Sequence, residues 1–306
     1  MADKSFLVQK FAKIPFGSLH VIGYSMAGEE TVVQVPELNV CFDIGRCPYF
    51  ALTSDIVCLT HGHMDHIAGL PYYLSQRHFQ GMKPGTILLP AELQRPVDAL
   101  LKCWRDVERQ GTPYTLVPMT AGMLHEVRRD FAIRAVATHH GGVSLGYCVI
   151  SVREKLKPEY AGVPGPQIAQ LRKQGVQVQY RVEVPLVAFL GDTTAGAVFQ
   201  HPDVVNAEIL ITECTFYDAE HKGKAKAGRH MHVDHFAEII PTLRNKHIVV
   251  AHVSRRTSIR AARAILKRKI GIERMSNIHF LMDFEGSSDA GDVDAAGPHP
   301  TGDGGE

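Results

Sequence analysis

His61-Gly62-His63-Met64-Asp65-His66 closes the apolar run from Asp55 to Thr60. The run reads as a buried strand, and the six residues after it as a loop carrying four groups able to bind a metal. Neutral imidazole and carboxylate suit zinc, which takes about four ligands and keeps one position open when it is catalytic. Adjacent Asp65 and His66 cannot easily join His61 and His63 around one ion. Two ions sharing a bridging carboxylate resolve the conflict, and that solution requires further His and Asp residues at the ends of other strands.

Three more apolar runs meet the requirement. Phe131 to Thr138 ends at His139-His140, Pro185 to Leu190 ends at Gly191-Asp192, and Lys246 to Ala251 ends at His252. One histidine after a strand is ordinarily a hydrogen-bonded loop residue, but three such positions downstream of the first motif read as a ligand set. The resulting assignment gives His61, His63 and His140 to one ion, Asp65, His66 and His252 to the other, and Asp192 to both as the bridge.

This succession, HxHxDH followed by His, Asp and His on successive strands, resembles the metallo-β-lactamase superfamily of binuclear metallohydrolases. Phe42-Asp43-Ile44-Gly45 resembles the first motif of that family, whose aspartate supports the backbone of the metal loop, so Asp43 is implied as a supporting residue. The resemblance covers roughly residues 5 to 282 and implies an α/β protein with the four-layer αββα sandwich. It also implies two zinc ions, with manganese as an alternative occupant.

Composition bounds the rest. A chain of 306 residues with 45% hydrophobic content suits one large globular domain, expected over 1–285. The N-terminus has no apolar stretch of signal-peptide or membrane-span length, so a soluble cytoplasmic protein without a membrane partner is expected. The six cysteines lack CxxC spacing and several sit in apolar runs, as buried free thiols of a reducing compartment do. Apolar residues on a helical period predict core-packing helices over 67–80 and 91–110, the second holding the only tryptophan, Trp104. Residues 286–306, almost entirely Gly, Ala, Ser, Asp and Pro, are expected to form a disordered acidic tail. That tail has no Lys or Arg, whereas Arg255 to Lys269 holds seven and no acid, an asymmetry concealed by the net charge of +1.

Four features select among the chemistries this scaffold supports. First, His140-Gly-Gly-Val-Ser-Leu-Gly-Tyr147 resembles the tRNase Z family, where a metal histidine precedes Ser-x-Gly-Tyr, and this leaves His139 as a supporting neighbour. Second, Ile211 to Phe216 resembles the His-Glu-Ala-Thr motif of that family, with Glu213 as the glutamate and Thr212 replacing the histidine. Third, Arg229-His-Met-His232 resembles the Gly-His-Thr-His of short plant-type members; its 22-residue spacing to His252 favours His230 as the catalytic histidine, with His232 as the alternative. Fourth, a basic insertion over 153–183, with Gly162-Val-Pro-Gly-Pro166 at its middle, falls where the family carries an arm that grips the tRNA elbow. Only residues 193–251 lie between Asp192 and His252, too few for the inserted domain of the β-CASP nucleases.

The resemblance implies a zinc-dependent endonuclease that removes 3′ trailers from tRNA precursors, acting as a homodimer. Asp65 would orient or deprotonate the attacking water, and Glu213 with His230 would protonate the departing 3′-oxygen. Arg256, in a Ser-x-Arg after the last ligand, would contact a phosphate. A small-molecule or cyclic-nucleotide phosphodiesterase is the alternative on the same scaffold, and a thioester or lactone hydrolase is a more distant one.

Overall fold

Seven strands form the first sheet in chain order: β1 (Ala12–Phe16), β2 (Leu19–Met26), β3 (Glu30–Val35), β4 (Val40–Phe42), β5 (Ile56–Cys58), β6 (Gly85–Pro90) and β7 (Tyr114–Met119). The second sheet repeats the arrangement with β8 (Leu124–Arg128), β9 (Phe131–Ala137), β10 (Leu145–Leu156), β11 (Gln179–Phe189), β12 (Ile209–Glu213), β13 (His247–Ala251) and β14 (Ile278–Phe280). In each, the first four strands form an antiparallel meander and the last three add in parallel. The structure is a computed structural model and describes residues 11–284, so the acidic tail expected over 286–306 lies outside the described residues.

Parallel neighbours require crossovers, and helices supply most of them. In chain order the helices are α1 (Met64–Ile67), α2 (Leu70–Phe79), α3 (Gln94–Glu108), α4 (Gly165–Lys173), α5 (Pro202–Asn206), α6 (Lys222–Gly228), α7 (Val233–Ile239) and α8 (Ile259–Ile270). The helices expected over 67–80 and 91–110 correspond to α2 and α3. Trp104 is 44% exposed, so it does not pack into the core as its helix was expected to do.

The period of two along each strand sorts side chains into layers. Ile56 and Cys58 of β5 face the middle of the molecule with Phe42, meeting Val149, Phe189, Ile211 and Val249 from the other sheet. The alternate residues Val57 and Leu59 face outward onto Leu70, Leu74, Val97 and Leu101. Leu210 and Val250 likewise face outward, onto Phe236, Ala262 and Leu266. Helix, sheet, sheet and helix are therefore stacked in four layers. Phe42 and Phe189 stack across the central layer at 4.9 Å, and truncating either to Ala removes about 3–5 kcal/mol of stability.

The carboxyl ends of β4, β5, β9, β11, β12 and β13 are brought to one edge, the customary location of sites in sheets of this kind. Main-chain and side-chain bonds tie the sheets there: Leu145 N–H donates to the Thr60 carbonyl at 2.9 Å, and the Tyr147 hydroxyl to the Leu59 carbonyl at 2.8 Å. At the opposite end β10 and β11 outrun their neighbours. They pair with each other to Leu156↔Gln179, although β9 leaves β10 at Ser151, and α4 forms part of the tip of the resulting two-stranded ribbon.

Candidate metal centre and active site

Asp43 anchors the first ligand loop from below. It is fully buried just after β4, with φ of 54°, and its Oδ1 accepts from Thr60 N–H at 2.8 Å while its Oδ2 lies 2.7 Å from His66 Nδ1. That contact occupies one ring nitrogen of His66 and turns the other, Nε2, toward the cluster, as a carboxylate behind a ligating histidine does. Gly45 lets the turn close: a Cβ there would stand 2.6 Å from the Asp65 carbonyl. Gly191, with φ of +58°, plays the same part for the Asp192 turn, where a Cβ would collide with the Thr60 side chain.

The predicted ligands converge. His61, His63, His140 and Asp192 offer atoms within 4.8 Å of one another, as do Asp65, His66 and His252 in a second group. Asp192 lies between the groups: its Oδ2 is 3.7 Å from His61 Nε2, 3.8 Å from His140 Nε2 and 3.5 Å from His66 Nε2, and its Oδ1 is 3.4 Å from His252 Nε2. The Asp65 Oδ2 lies 3.5 Å from His252 Nε2 and 3.6 Å from His66 Nε2, and also accepts from Gly28 N–H at 2.9 Å.

These separations are too long for good hydrogen bonds, yet they match the edge of a zinc tetrahedron, about 3.4 Å for ligand distances near 2.1 Å. Two buried atoms of the cluster, His61 Nε2 and Asp192 Oδ1, have no hydrogen-bond partner among the described residues. A buried polar atom without a partner is costly, and a cation between these atoms would satisfy both. The donor set of five imidazoles and two carboxylates suits divalent metal ions such as zinc, so the residues fit the expected pair of ions.

Tautomers are set from behind. His140 donates Nδ1–H to the Arg229 carbonyl at 3.1 Å, and His252 Nδ1 lies 3.1 Å from Thr215 Oγ1, which in turn donates to Glu213 Oε2. Burial, with the charge of neighbouring His66 second, pushes His61 down to about 2, leaving it neutral with a lone pair free. His66 behaves oppositely: against its burial, the Asp192 and Asp43 carboxylates hold it well above the usual histidine range. A cation in the cluster would displace that proton, because only the neutral ring can ligate.

Glu213 is a hub. Buried at the end of β12, it accepts on Oε1 from Thr193 N–H at 2.7 Å and from His230 Nδ1 at 3.0 Å, and on Oε2 from Met231 N–H at 3.0 Å and from Thr215. Although burial opposes it, this carboxylate raises His230 to about 9. The imidazole is partly exposed and lies over the cluster, 4.8 Å from the His140 ring and 5.4 Å from that of His252. A partly exposed histidine held by a buried carboxylate beside the ligand cluster can donate a proton to a leaving oxygen. His232 is turned away: its Nδ1 accepts from Asp234 N–H to cap α7, and its Nε2 lies against the Asp218 carbonyl.

Residues 51–253 match the family described as Beta-lactamase superfamily domain. A chloroplastic tRNase Z of Arabidopsis thaliana is 37% identical over 254 residues, covering 82% of this chain and 72% of the relative. A second tRNase Z of that plant is 36% identical over 244 residues, covering 78% of this chain and 86% of the relative. The chain belongs to the tRNase Z family. Among solved structures, a metallo-beta-lactamase fold protein of Bacillus subtilis superposes with a TM-score of 0.57 at 16% identity, covering 89% of this chain and 96% of its own. The short form of human tRNase Z gives 0.52 at 17% identity, over 89% of this chain and 95% of its own, and both express likeness of fold alone.

Within this tRNase Z family chain, some supporting positions differ from the sequence expectation. The His139 side chain is exposed; only its main chain serves the site, its N–H donating to Thr193 Oγ1 and its carbonyl accepting from Thr194 N–H. The polar residue before a buried ligand had to continue the backbone outward, and its ring follows. Between Glu213 and His230, Lys222 to Lys226 lie in α6. Arg256 is exposed and no ion pair holds it among the described residues, whereas neighbouring Arg255 is engaged by Glu29. Thr215, Thr193, Thr60 and the Arg229 carbonyl were not singled out. Thr215 stands in the Glu213 motif, but only the strand geometry says which way its hydroxyl points. No described helix is long and apolar enough to cross a membrane.

Proposed function

We propose that this protein is a binuclear zinc endonuclease that removes 3′ trailers from tRNA precursors. The observation carrying the reading is the Glu213–His230 pair set over the ligand cluster in a chain of this family. Hydrolysis of a phosphodiester with an alkoxide leaving group needs a proton donor, and a histidine fixed by a buried carboxylate supplies one. When bound, zinc held by His61, His63, His140 and Asp192, and by Asp65, His66, His252 and Asp192, would supply Lewis acidity toward water and phosphate.

The remaining steps belong to side chains. Asp65, held by Gly28 N–H and partly exposed, orients the attacking water or takes its proton. His230, kept protonated by Glu213, delivers its Nε2 proton to the departing 3′-oxygen, and Glu213 stabilises the charge that the ring carries before transfer. Arg256 meets the phosphate backbone next to the cut. The exposed basic positions of α8 extend that positive surface and make binding salt-dependent.

The ribbon formed by β10 and β11 is the proposed arm for the RNA elbow. Between Leu145 at the site edge and Leu156 the strand spans on the order of 36 Å, so the arm projects from the end opposite its own metal cluster. That direction supports a homodimer in which one subunit's arm serves RNA held at the partner's site. Five buried free thiols, Cys41, Cys47, Cys58, Cys148 and Cys214, fit a reducing compartment, and the cytoplasm is the one proposed.

Replacing 157–178 by a short turn tests the substrate class. The shortened protein should keep hydrolysis of bis(p-nitrophenyl) phosphate and lose cleavage of a trailer-bearing tRNA precursor. Equal cleavage of the precursor by both proteins would remove the ribbon from RNA recognition, whereas diester turnover without precursor cleavage by the unshortened protein would favour the small-molecule phosphodiesterase.

A further inference from the structure

Arg229 holds an unfavourable backbone conformation beside the proposed proton donor. It follows α6 with φ of +52°, in the left-handed region where glycine is at ease and a side chain is strained. Its N–H closes the helix on the Lys226 carbonyl, a task for which glycine would serve better. Non-glycine residues persist in such conformations where the surroundings fix them, and they concentrate at functional sites.

The side chain is exposed but not loose. Its Nη1 donates to the His140 carbonyl at 3.1 Å, while the Arg229 carbonyl accepts Nδ1–H of the same histidine, so the guanidinium is held against a predicted ligand loop. One N–H is used there, and no carboxylate pairs with the group among the described residues. The remaining donors form a charged planar fork suited to a phosphate. The next residue is His230, whose ring lies 4.8 Å from that of His140.

We infer that Arg229 binds the RNA phosphate backbone on the 5′ side of the cut, as a substrate-binding residue additional to Arg256. The inference rests on the proposed RNA-cleaving function. His230 gives its proton to the 3′-oxygen that stays with the mature RNA, so the nucleotide carrying that oxygen lies against His230. A guanidinium anchored one residue away reaches the phosphate of that retained nucleotide. Arg256 follows the strand that delivers His252, at the other ligand group, so the two arginines adjoin opposite ends of the cluster.

The test compares the zinc-loaded protein with Arg229→Gly, which relieves the backbone and keeps the carbonyl contact to His140, and with Arg229→Lys. Affinity is measured over a potassium chloride series for mature tRNA ending at the discriminator nucleotide and for a trailer-bearing precursor, beside zinc content. Arg229→Gly should weaken both RNAs by a similar factor and lower the log–log salt slope by about 0.7–0.9, the share of one phosphate contact, with zinc unchanged. Arg229→Lys should restore the slope. Unchanged affinity and slope would overturn the inference; so would weakening confined to the precursor, which places the contact on the trailer, or zinc loss at constant slope, which makes Arg229 a brace for His140. Wild-type protein that neither binds nor cuts the precursor would instead sink the RNA-cleaving function itself, and this inference with it.

Discussion

The two halves of the molecule share one strand plan and divide the site unequally. The half ending at β7 places His61, His63, Asp65 and His66 on one short stretch that follows β5 and runs into α1, with Asp43 beneath them. The half beginning at β8 gives one residue per strand end: His140 after β9, Asp192 after β11, Glu213 on β12 and His252 after β13. The first contribution is local in the chain and is a ligand platform. The second is assembled only by folding, and it brings the carboxylate proposed as the bridge and the groups proposed to handle the proton.

Perturbing each half should therefore have different consequences. Asp192→Ala removes the carboxylate that lies between the two ligand groups, and should abolish cleavage of precursor and small diester together with zinc binding, measured as metal per chain. If zinc content and turnover survived, Asp192 would not be the bridge and the division of labour would fail. Glu213→Gln should keep zinc and lower kcat on the precursor roughly 10²–10⁴-fold, the range for a general acid. The p-nitrophenyl diester, whose leaving group needs no proton, should suffer less. The alanine variant is a poorer probe, because Glu213 also reaches His252 through Thr215 and its removal would disturb a ligand.

The pH profile sharpens the same point. His230 is required protonated, so kcat should fall as pH rises through its folded value. Glu213 sets that value at about 9, and cations at the neighbouring ligands pull it toward the ordinary 6.5, so the falling limb should lie between them. The limb should vanish in His230→Asn; a limb that stayed would belong to another group.

In the first half, Asp43→Asn should weaken zinc affinity by about 10–100-fold while leaving the Glu213–His230 pair intact, since it loosens only the support of His66. The smallest effect is expected for Arg256→Ala: a raised KM for precursor and a salt slope lower by about one, with small-diester kcat nearly unchanged. A large fall in diester kcat would place Arg256 at the reacting atoms.

How far the sequence could be read follows the same division. HxHxDH after an apolar strand is compact enough to announce metal ions by itself, and the strand ends at His140, Asp192 and His252 could be matched because each follows a buried run. The alternation of residues such as Ile56 and Val57 underlies two facing sheets, but assigning layers needed the pairing of distant strands. Thr215 and the Arg229 carbonyl stayed hidden, because an orienting hydrogen bond depends on side-chain direction and on a main-chain group that any residue carries. The choice between His230 and His232 was open for the same reason: only the turn after α6 points one ring at Glu213 and the other into the cap of α7.

The most direct test of the central claim is cleavage of a tRNA precursor carrying a 3′ trailer by zinc-loaded protein, run beside Asp192→Ala and beside bis(p-nitrophenyl) phosphate. The account predicts a single cut at the discriminator nucleotide, absent in the variant. Diester turnover by the wild-type protein with no cleavage of the precursor would contradict it.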